Sequence, residues 1–257
     1  MLALPTDFAR PPVKTYGASA TRLMLPAELG EKLSVLARAE GVTLYTLLLA
    51  SWACVLHRYT GQDDMLIGTP MACRSKLELE GVVGYFVNPV AIRVKPTAET
   101  PFGELLEAVR QTVLGAMLHQ DYPFSVLVER LLADAPRDLS RSPLFQVMFV
   151  LQNTHTKDEK LGNLMHGLPG GATEWGNTQL RAFPVERRAA MFDLTLVSSE
   201  NPATDGAGGG LLFEMLYSTE LFAQTTVDAH LAHLQQLLVP ARPAFHRHSS
   251  PCQLTTP

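Results

Sequence analysis

The spacing of apolar residues along the chain predicts five helices, over residues 26–41, 43–58, 100–120, 123–131 and 220–238. Three of them begin at a proline (Pro26, Pro101 and Pro123), a residue suited to the first helical position. Thr43 is of the type that caps a helix N-terminus and starts the second helix. Because this second helix has no polar face, we expect it to be deeply buried.

Short apolar runs between the helices predict six strands, over residues 22–25, 65–69, 86–94, 145–151, 192–198 and 211–217. Pro89 places part of the third run at a sheet edge or a bulge. Gly61 ends the second helix, and Gly68 leaves the second strand without a side chain. Another backbone or a long thin ligand could therefore approach closely at Gly68. Strands interleaved with helices indicate an α/β domain built in layers.

The remaining segments are predicted as connections. Residues 1–20 contain Pro5, Pro11 and Pro12 and predict an extended linker. Residues 154–178 predict a long mobile loop, and residues 201–210 a flexible connection. Residues 240–257 have no apolar period and predict a disordered tail. These boundaries leave residues 21–239 as the folded unit.

Composition excludes several classes of protein. The 257 residues carry a formal charge of −4 and no basic cluster, which argues against a nucleic-acid partner. The first residues, Met1 to Pro5, lack the basic region and apolar run of a signal peptide, and no apolar run is long enough for a membrane span, so we expect a cytoplasmic protein. Cys54, Cys73 and Cys252 are odd in number and lack CxxC spacing, which makes a disulfide framework or structural zinc unexpected.

The spacing of the histidines does not favour a general base or a metal site. His119 and Asp121 lie two residues apart at a helix end and face different sides, so a capping role is favoured over a general base. His230 and His233 have a spacing that can bind metal. Without a third ligand nearby, a solvated helix face is favoured. We therefore predict no metal site and no catalytic residue in this chain.

Four motifs in order resemble one family. They are TGQDDMLIGTP (60–70, closing on Arg74), GVVGYFVN (81–88), HQDYPF (119–124) and RDLSRSPLFQVMF (137–149). Together they resemble the C-terminal half of the condensation domain of nonribosomal peptide synthetases. The resemblance covers about residues 2–238.

The resemblance implies one lobe of a chloramphenicol-acetyltransferase-like fold, an α/β lobe with a two-layer mixed sheet and helices. Two such lobes form a tunnel in that family. An acyl or peptidyl thioester on one peptidyl carrier protein is joined there to an aminoacyl group on the next. Phosphopantetheine arms carry both substrates, and no cofactor binds directly. A His-His-x-x-x-Asp-Gly motif in the N-terminal lobe orients or deprotonates the amine.

That histidine motif is missing here. No two histidines are adjacent, and the single Asp-Gly, Asp205-Gly206, has Glu200 and Asn201 where the histidines would stand. Asn cannot accept a proton as a neutral imidazole does. We therefore expect the isolated chain to be inactive, to need a missing N-terminal lobe, and to come from a truncated, split or frame-shifted gene. It should also expose the apolar face that the other lobe covers.

Two alternatives remain open at this point. One is a non-catalytic module that binds carrier proteins or a partner lobe. The other is a stand-alone trimeric acetyltransferase using coenzyme A, which would still need a catalytic histidine.

Five residues are candidates for facing the tunnel or a carrier protein. Arg137 and Arg141 could contact a carrier phosphate. An ion-pair network with the neighbouring Asp138 and Ser140 is an equally favoured interpretation. Gln152 and Asn153 could bind the amide groups of a pantetheine arm, or cap the end of a strand. Asn88, beside a proline, could face the tunnel or occupy a bulge.

Overall fold

The structure, a computed structural model, describes residues 1–136, 138–152, 172–181, 183, 185–201 and 210–239. Its helices are α1 (Ala27–Ala39), α2 (Leu44–Thr60), α3 (Phe102–Leu118), α4 (Phe124–Leu131) and α5 (Gln224–Leu238), with a short 3-10 turn at Leu77–Leu79. Its strands are β1 (Ala18–Leu25), β2 (Met65–Met71), β3 (Asn88–Val94), β4 (Val147–Gln152), β5 (Ala172–Trp175), β6 (Thr178–Arg181), β7 (Leu194–Asn201) and β8 (Gly210–Ser218).

All the predicted helices and strands are present, with boundaries shifted by a few residues, and two segments predicted as connections contain strands. Strand β1 begins at Ala18, inside the segment predicted as a linker. The prediction of a loop over residues 154–178 is wrong at its C-terminal end, because β5 and β6 form an antiparallel hairpin there. Gly176, with a φ of 58°, supplies the left-handed residue of its two-residue turn. The rest of that loop, most of the connection at 201–210 and the predicted tail lie outside the described residues.

One six-stranded mixed sheet, in the order β1-β8-β7-β4-β2-β3, organises the fold. Strands β2, β4 and β7 are parallel, with Ile67 beside Val147 and Val147 beside Leu194. Their carboxyl ends therefore meet at one edge of the sheet. The other pairs are antiparallel. Because β3 is an edge strand, the prediction from Pro89 is confirmed.

Helix α2 forms the centre of the core, as its lack of a polar face predicts. Every residue from Thr46 to His57 is buried. The Thr43 side chain accepts a hydrogen bond from the backbone N–H of Thr46 (3.1 Å), which satisfies one free donor of the first turn. Gly61 ends the helix with a φ of 64°. Both predicted caps are confirmed.

Gly68 makes room for the protein's own core rather than for a ligand, which corrects the expectation from sequence. A Cβ at Gly68 would lie 2.1 Å from the Phe145 ring. The same ring contacts Phe124 (5.2 Å between centroids) and Phe192 (5.1 Å). Phe145 therefore joins β2, α4 and the segment that leads into β7.

The prediction that His230 lies on a solvated face is wrong. His230 is 0% exposed and stacks on Tyr59 with 3.9 Å between ring centroids. Its Nδ1 bonds the Thr226 carbonyl (2.7 Å), which leaves Nε2 buried without a partner among the described residues. His230 lies three residues after Val227, so it belongs to the same buried stripe. His233 instead bonds the Tyr59 hydroxyl (2.6 Å).

Two further expectations concern cysteines and membranes. Cys73 has a free thiol. Across the described ranges, no single helix is long and apolar enough to cross a membrane. Helices α1 and α2 pass that test only as a pair bent by 103°.

Replacing Gly68 by alanine tests the packing of Phe145. We expect Gly68→Ala to lower the free energy of unfolding by about 1–3 kcal/mol, because the new methyl group overpacks the ring. Gly115→Ala is the matched control, since a Cβ there meets nothing within 4 Å inside α3. It should stabilise by roughly 0.5–1 kcal/mol. Urea denaturation of both variants measures the difference; equal effects would contradict the packing.

The buried imidazole of His230 makes stability depend on pH. Burial lowers the pKa of His230 from its ordinary 6.5, and the nearby His233 adds to that effect, whereas the Thr226 carbonyl and Asp7 oppose it. The unfolded chain then binds the extra proton more readily, so stability is fully present above about pH 6.5 and is lost as the pH falls through the folded-state pKa.

Urea denaturation at pH 7.5 and 5.5 should show this loss for the native chain. We expect the free energy of unfolding of His230→Gln to differ less between the two pH values than that of the native chain. His119→Gln, at an exposed helix end, should leave it unchanged. If His230→Gln lost as much stability between pH 7.5 and pH 5.5 as the native chain does, His230 would not be the cause of the pH dependence.

Candidate functional site

A cavity of about 850 Å³ opens at the carboxyl ends of the three parallel strands. In open α/β sheets this edge is where ligands commonly bind. The size falls in the range of roughly 300–1,000 Å³ found for small-molecule sites. The strands supply Thr69, Pro70, Met71, Val150, Leu151 and Glu200; α3 supplies Arg110, Val113, Leu114 and Met117; residues 41–46 close the remaining side. We call it the sheet-edge cavity.

The wall from α3 is apolar because this helix has apolar residues on two faces. Leu105, Leu106 and Val109 pack into the core. Leu114 and Met117 line the cavity and are 45% and 48% exposed. These half-exposed side chains give the cavity an apolar mouth.

Four residues with hydroxyl groups line the cavity: Thr43, Tyr45, Thr46 and Thr69. The Tyr45 ring packs on Phe149, with 5.3 Å between centroids. Its hydroxyl oxygen is buried and has no hydrogen-bond partner among the described residues. Burial raises the pKa of Tyr45 to about 12; the neighbouring Thr69 opposes that rise without reaching hydrogen-bonding geometry. Tyr45 is therefore a neutral phenol with a proton to donate.

Two charged residues line the cavity, Arg110 and Glu200. The guanidinium of Arg110 makes two contacts of 2.8 Å with the Glu107 carboxylate. Glu200, which is exposed, lies where the sheet-edge cavity adjoins a smaller cleft of about 240 Å³ beside α1. The other residues that line the cavity are uncharged.

Asn88 holds the connection between α3 and α4. Its Nδ2 donates to the carbonyls of Gln120 and Tyr122 (2.8 Å each), and its Oδ1 accepts from the Phe124 backbone N–H (3.0 Å). All three contacts are within the chain, and Asn88 does not line the sheet-edge cavity. His119 ends α3 as its C-cap, as predicted.

Arg141 belongs to a tight charged turn before β4. Its Nε lies 3.6 Å from Asp138, whose Oδ1 accepts from the Ser140 backbone N–H (2.9 Å) and hydroxyl (2.6 Å). The two bonds from Ser140 lower the pKa of Asp138, with Arg141 adding to the effect. These contacts correspond to the charge-network reading of the motif.

Gln152, another candidate that the structure describes, lies apart from Arg141. Gln152 is half-buried and ends β4 opposite Ser199, next to the cavity-lining Leu151. Arg137 and Asn153 lie outside the described residues. In the part of the chain that the structure describes, no three His, Cys, Asp or Glu residues are grouped to hold a metal ion.

Arg74, which closes the first motif, organises the loop between β2 and β3. Its guanidinium donates to the carbonyls of Leu79, Val82 (2.9 Å) and Gly84 (3.1 Å). The same group lies 4.3 Å from the centroid of the Phe86 ring. Arg74 thus fixes a loop whose apolar side chains face solvent: Leu77, Val83 and Tyr85 are 80%, 101% and 85% exposed.

The N-terminal segment is anchored by a buried ion pair. Arg10 makes two contacts with the Asp193 carboxylate, of 3.1 and 2.5 Å, and donates to the Ser140 carbonyl (3.2 Å). The Asp193 side chain is 1% exposed and that of Arg10 14%. This pair ties the first residues, the charged turn and the start of β7 to one another.

Comparisons with known proteins agree with this architecture. The family model for the condensation domain matches residues 1–249, so the chain belongs to the condensation-domain family. It is 41% identical over 242 residues to a linear gramicidin synthase of Brevibacillus parabrevis and 36% identical over 238 residues to a plipastatin synthase of Bacillus subtilis. These matches cover 93% of this chain but only 4% and 8% of those relatives.

Solved structures confirm the predicted chloramphenicol-acetyltransferase-like fold. A four-domain nonribosomal peptide synthetase bound to AMP and glycine superposes with a TM-score of 0.86 at 24% identity, over 97% of this chain and 18% of that chain. The X-domain from teicoplanin biosynthesis superposes with a TM-score of 0.78 at 26% identity, over 95% of this chain and 52% of that chain. This chain thus spans about half of the X-domain.

Truncating Arg10 tests the buried ion pair. We expect Arg10→Ala to lower the free energy of unfolding by about 3–5 kcal/mol, because it leaves the Asp193 charge buried and unpaired. Arg93→Ala is the matched control; it breaks a two-contact pair with Asp64 whose side chains are 60% and 46% exposed. That loss should be much smaller, since solvent screens the pair. Similar losses in urea denaturation would show that burial of the Asp193 charge is unimportant.

Proposed function

We propose that this chain is the C-terminal half of a peptide-bond-forming condensation domain. The complete domain joins acyl and aminoacyl thioesters tethered to peptidyl carrier proteins, and it binds no cofactor directly. The observation that carries this proposal is condensation-domain membership in a sequence whose eight histidines include no adjacent pair. Without that pair, the chain is inactive alone.

The chemistry explains why a histidine matters. The amine of one substrate attacks the thioester carbonyl of the other, an amide C–N bond forms, and the C–S bond breaks to release a thiol. A nearby base must orient the amine or take its proton, and a neutral imidazole does so near pH 7. None of the four described histidines, at positions 57, 119, 230 and 233, lines the sheet-edge cavity.

A second lobe supplies the missing histidine and covers apolar surface. The loop fixed by Arg74 exposes Leu77, Val83 and Tyr85 almost completely. Neighbouring exposed apolar groups mark an interaction surface and favour self-association in its absence. This supports a partner lobe packed against the loop, with carrier proteins delivering substrates to the joint site.

Reconstitution tests the proposal. The chain is mixed with the segment that directly precedes the matched region in the 41%-identical linear gramicidin synthase, together with acyl- and aminoacyl-loaded carrier proteins. We expect amide product, detected by mass spectrometry, only when both halves are present. Replacing the second histidine of the partner's His-His-x-x-x-Asp-Gly motif by alanine should abolish it.

The matched control combines the two gramicidin synthase segments, expressed separately. If those two form product while this chain does not replace the second one, the proposed catalytic role is wrong. Product from this chain alone would equally contradict the proposal.

A second candidate function is a non-catalytic binding module. The X-domain from teicoplanin biosynthesis occurs in complex with OxyB, and that chain superposes with a TM-score of 0.76 at 25% identity, over 99% of this chain and 52% of that chain. Pulldown with peptidyl carrier proteins discriminates the two. Carrier binding by this chain alone, without amide formation when the partner half is added, favours the binding module.

A further inference from the structure

We propose that Arg74 and Asn88 are positioning residues, which hold the loop between β2 and β3 (residues 72–87) in the shape that docks the partner lobe. This role rests on the proposed function, because the loop is the surface described there for the partner lobe. It adds that the loop is shaped before the partner arrives. The loss of either residue then weakens lobe association and leaves the chemical step unchanged.

A single backbone carbonyl receives both ends of the loop. The carbonyl of Gln120, in the connection between α3 and α4, accepts from the Asn88 Nδ2 (2.8 Å) and from the Cys73 thiol (3.3 Å). Cys73 lies next to the start of the loop, and Asn88 follows directly after its end. Because both ends share one acceptor, the base of the loop cannot widen without the loss of a hydrogen bond.

The side-chain amide of Asn88 extends this anchor to two more backbone groups. Its Nδ2 also donates to the Tyr122 carbonyl (2.8 Å), and its Oδ1 accepts from the Phe124 N–H (3.0 Å). An amide combines two N–H donors with a carbonyl acceptor, so it meets all three needs at once. Aspartate has nearly the same shape but no N–H, so it would lose both donated bonds.

The backbone at Cys73 requires an anchor of this kind. Its φ of 50° lies in the left-handed region, which favours glycine. Such a conformation persists in another residue only where the surroundings fix it. Burial raises the pKa of the Cys73 thiol, so at neutral pH the thiol keeps the proton that it donates to Gln120.

Arg74 fixes the interior of the same loop. Apart from the short 3-10 turn, residues 72–87 contain no helix or strand, so few of their carbonyls are satisfied by secondary structure. The guanidinium of Arg74 accordingly donates to the carbonyls of Leu79, Val82 and Gly84. A planar fork with five donors can serve three acceptors at once, whereas the compact ammonium of lysine cannot.

Three of the four sequence motifs therefore meet at this loop. Arg74 closes the first motif, Asn88 ends the second, and Gln120 belongs to the third. Their separation along the chain hides this contact in the sequence. In the structure, the polar residues of these motifs build the loop and its base rather than the sheet-edge cavity, which none of the three lines.

The anchors keep apolar side chains in solvent. Leu77, Val83 and Tyr85 are almost fully exposed, although a loose loop could fold them against the lobe. Ordering a loop on binding costs free energy, so a loop that is already ordered binds its partner more tightly. The contacts of Arg74 and Asn88 thus favour docking although neither side chain needs to touch the partner lobe.

Limited proteolysis of the full chain by chymotrypsin tests the anchors without a partner. Cleavage after Tyr85 or Phe86, followed by mass spectrometry, reports the population of the opened loop. We expect Arg74→Gln and Asn88→Asp each to be cleaved there about tenfold faster than the native chain, which corresponds to the loss of roughly one or two hydrogen bonds.

The chain offers a matched control for each variant. Arg38→Gln removes an exposed guanidinium that donates to a carbonyl within α1, and Asn177→Asp changes an exposed amide in the β5–β6 turn. Both should be cleaved after Tyr85 or Phe86 within about twofold of the native rate. Arg74→Lys keeps the charge without the fork, so its cleavage should stay at least about fivefold faster.

Association with the preceding segment of the linear gramicidin synthase separates positioning from catalysis. We expect Arg74→Gln and Asn88→Asp to raise the dissociation constant of that segment roughly tenfold in calorimetric titration. At saturating partner, the rate of amide formation should stay within about twofold of the native rate, because neither residue contacts the reacting atoms.

Cleavage of the two variants at the rates of their controls would overturn the inference, as would full rescue by Arg74→Lys. A slower reaction at saturating partner with unchanged affinity would also overturn it, since the residues would then act on the chemistry. Circular dichroism of every variant verifies the fold. Native affinity in Arg74→Gln together with amide formation contradicts only the inference, whereas no binding by the native chain contradicts the proposed function.

Discussion

The contact between the Phe145 ring and Gly68 is the constraint on which the rest of this fold depends. A ring so close to the β2 backbone leaves no room for any Cβ, so glycine is required there. The same ring packs against Phe124 and Phe192 and thereby aligns α4 and the entry to β7 with β4. Once β2, β4 and β7 run parallel, their carboxyl ends lie together and the sheet-edge cavity follows from the topology.

The N-terminal segment is a second structural constraint. Asp7 accepts hydrogen bonds from the Ala223 backbone N–H and the Thr226 hydroxyl (2.8 Å each) at the start of α5, while Arg10 pairs with Asp193. The backbone N–H of Leu2 donates to Gln146, and Leu2 is buried. The residues predicted as a linker thus pack onto the lobe and join its first and last elements.

Features of the fold that depend on local chemistry could be predicted from the sequence. Thr43 and Gly61 bound α2 because caps act within one turn, and Pro89 marks an edge strand because it lacks a donor. Features that depend on distant contacts could not. The sequence shows that Gly68 has no side chain, but it does not show that Phe145, far along the chain, fills that space. His230 looks like a surface histidine until Tyr59 is placed against it. The candidate site was harder still, since Tyr45 is typical of a core aromatic residue and the strands that form the cavity are far apart in the chain.

The central claim is that this lobe forms half of a catalyst and is completed by a second lobe. Hydrogen–deuterium exchange of the full chain, alone and with the preceding segment of the linear gramicidin synthase, tests it most directly. We expect slower exchange in the loop between β2 and β3 that carries Leu77, Val83 and Tyr85, with α5 unchanged. Unchanged exchange throughout that loop, under conditions where the two gramicidin synthase segments protect each other, would contradict a two-lobed assembly.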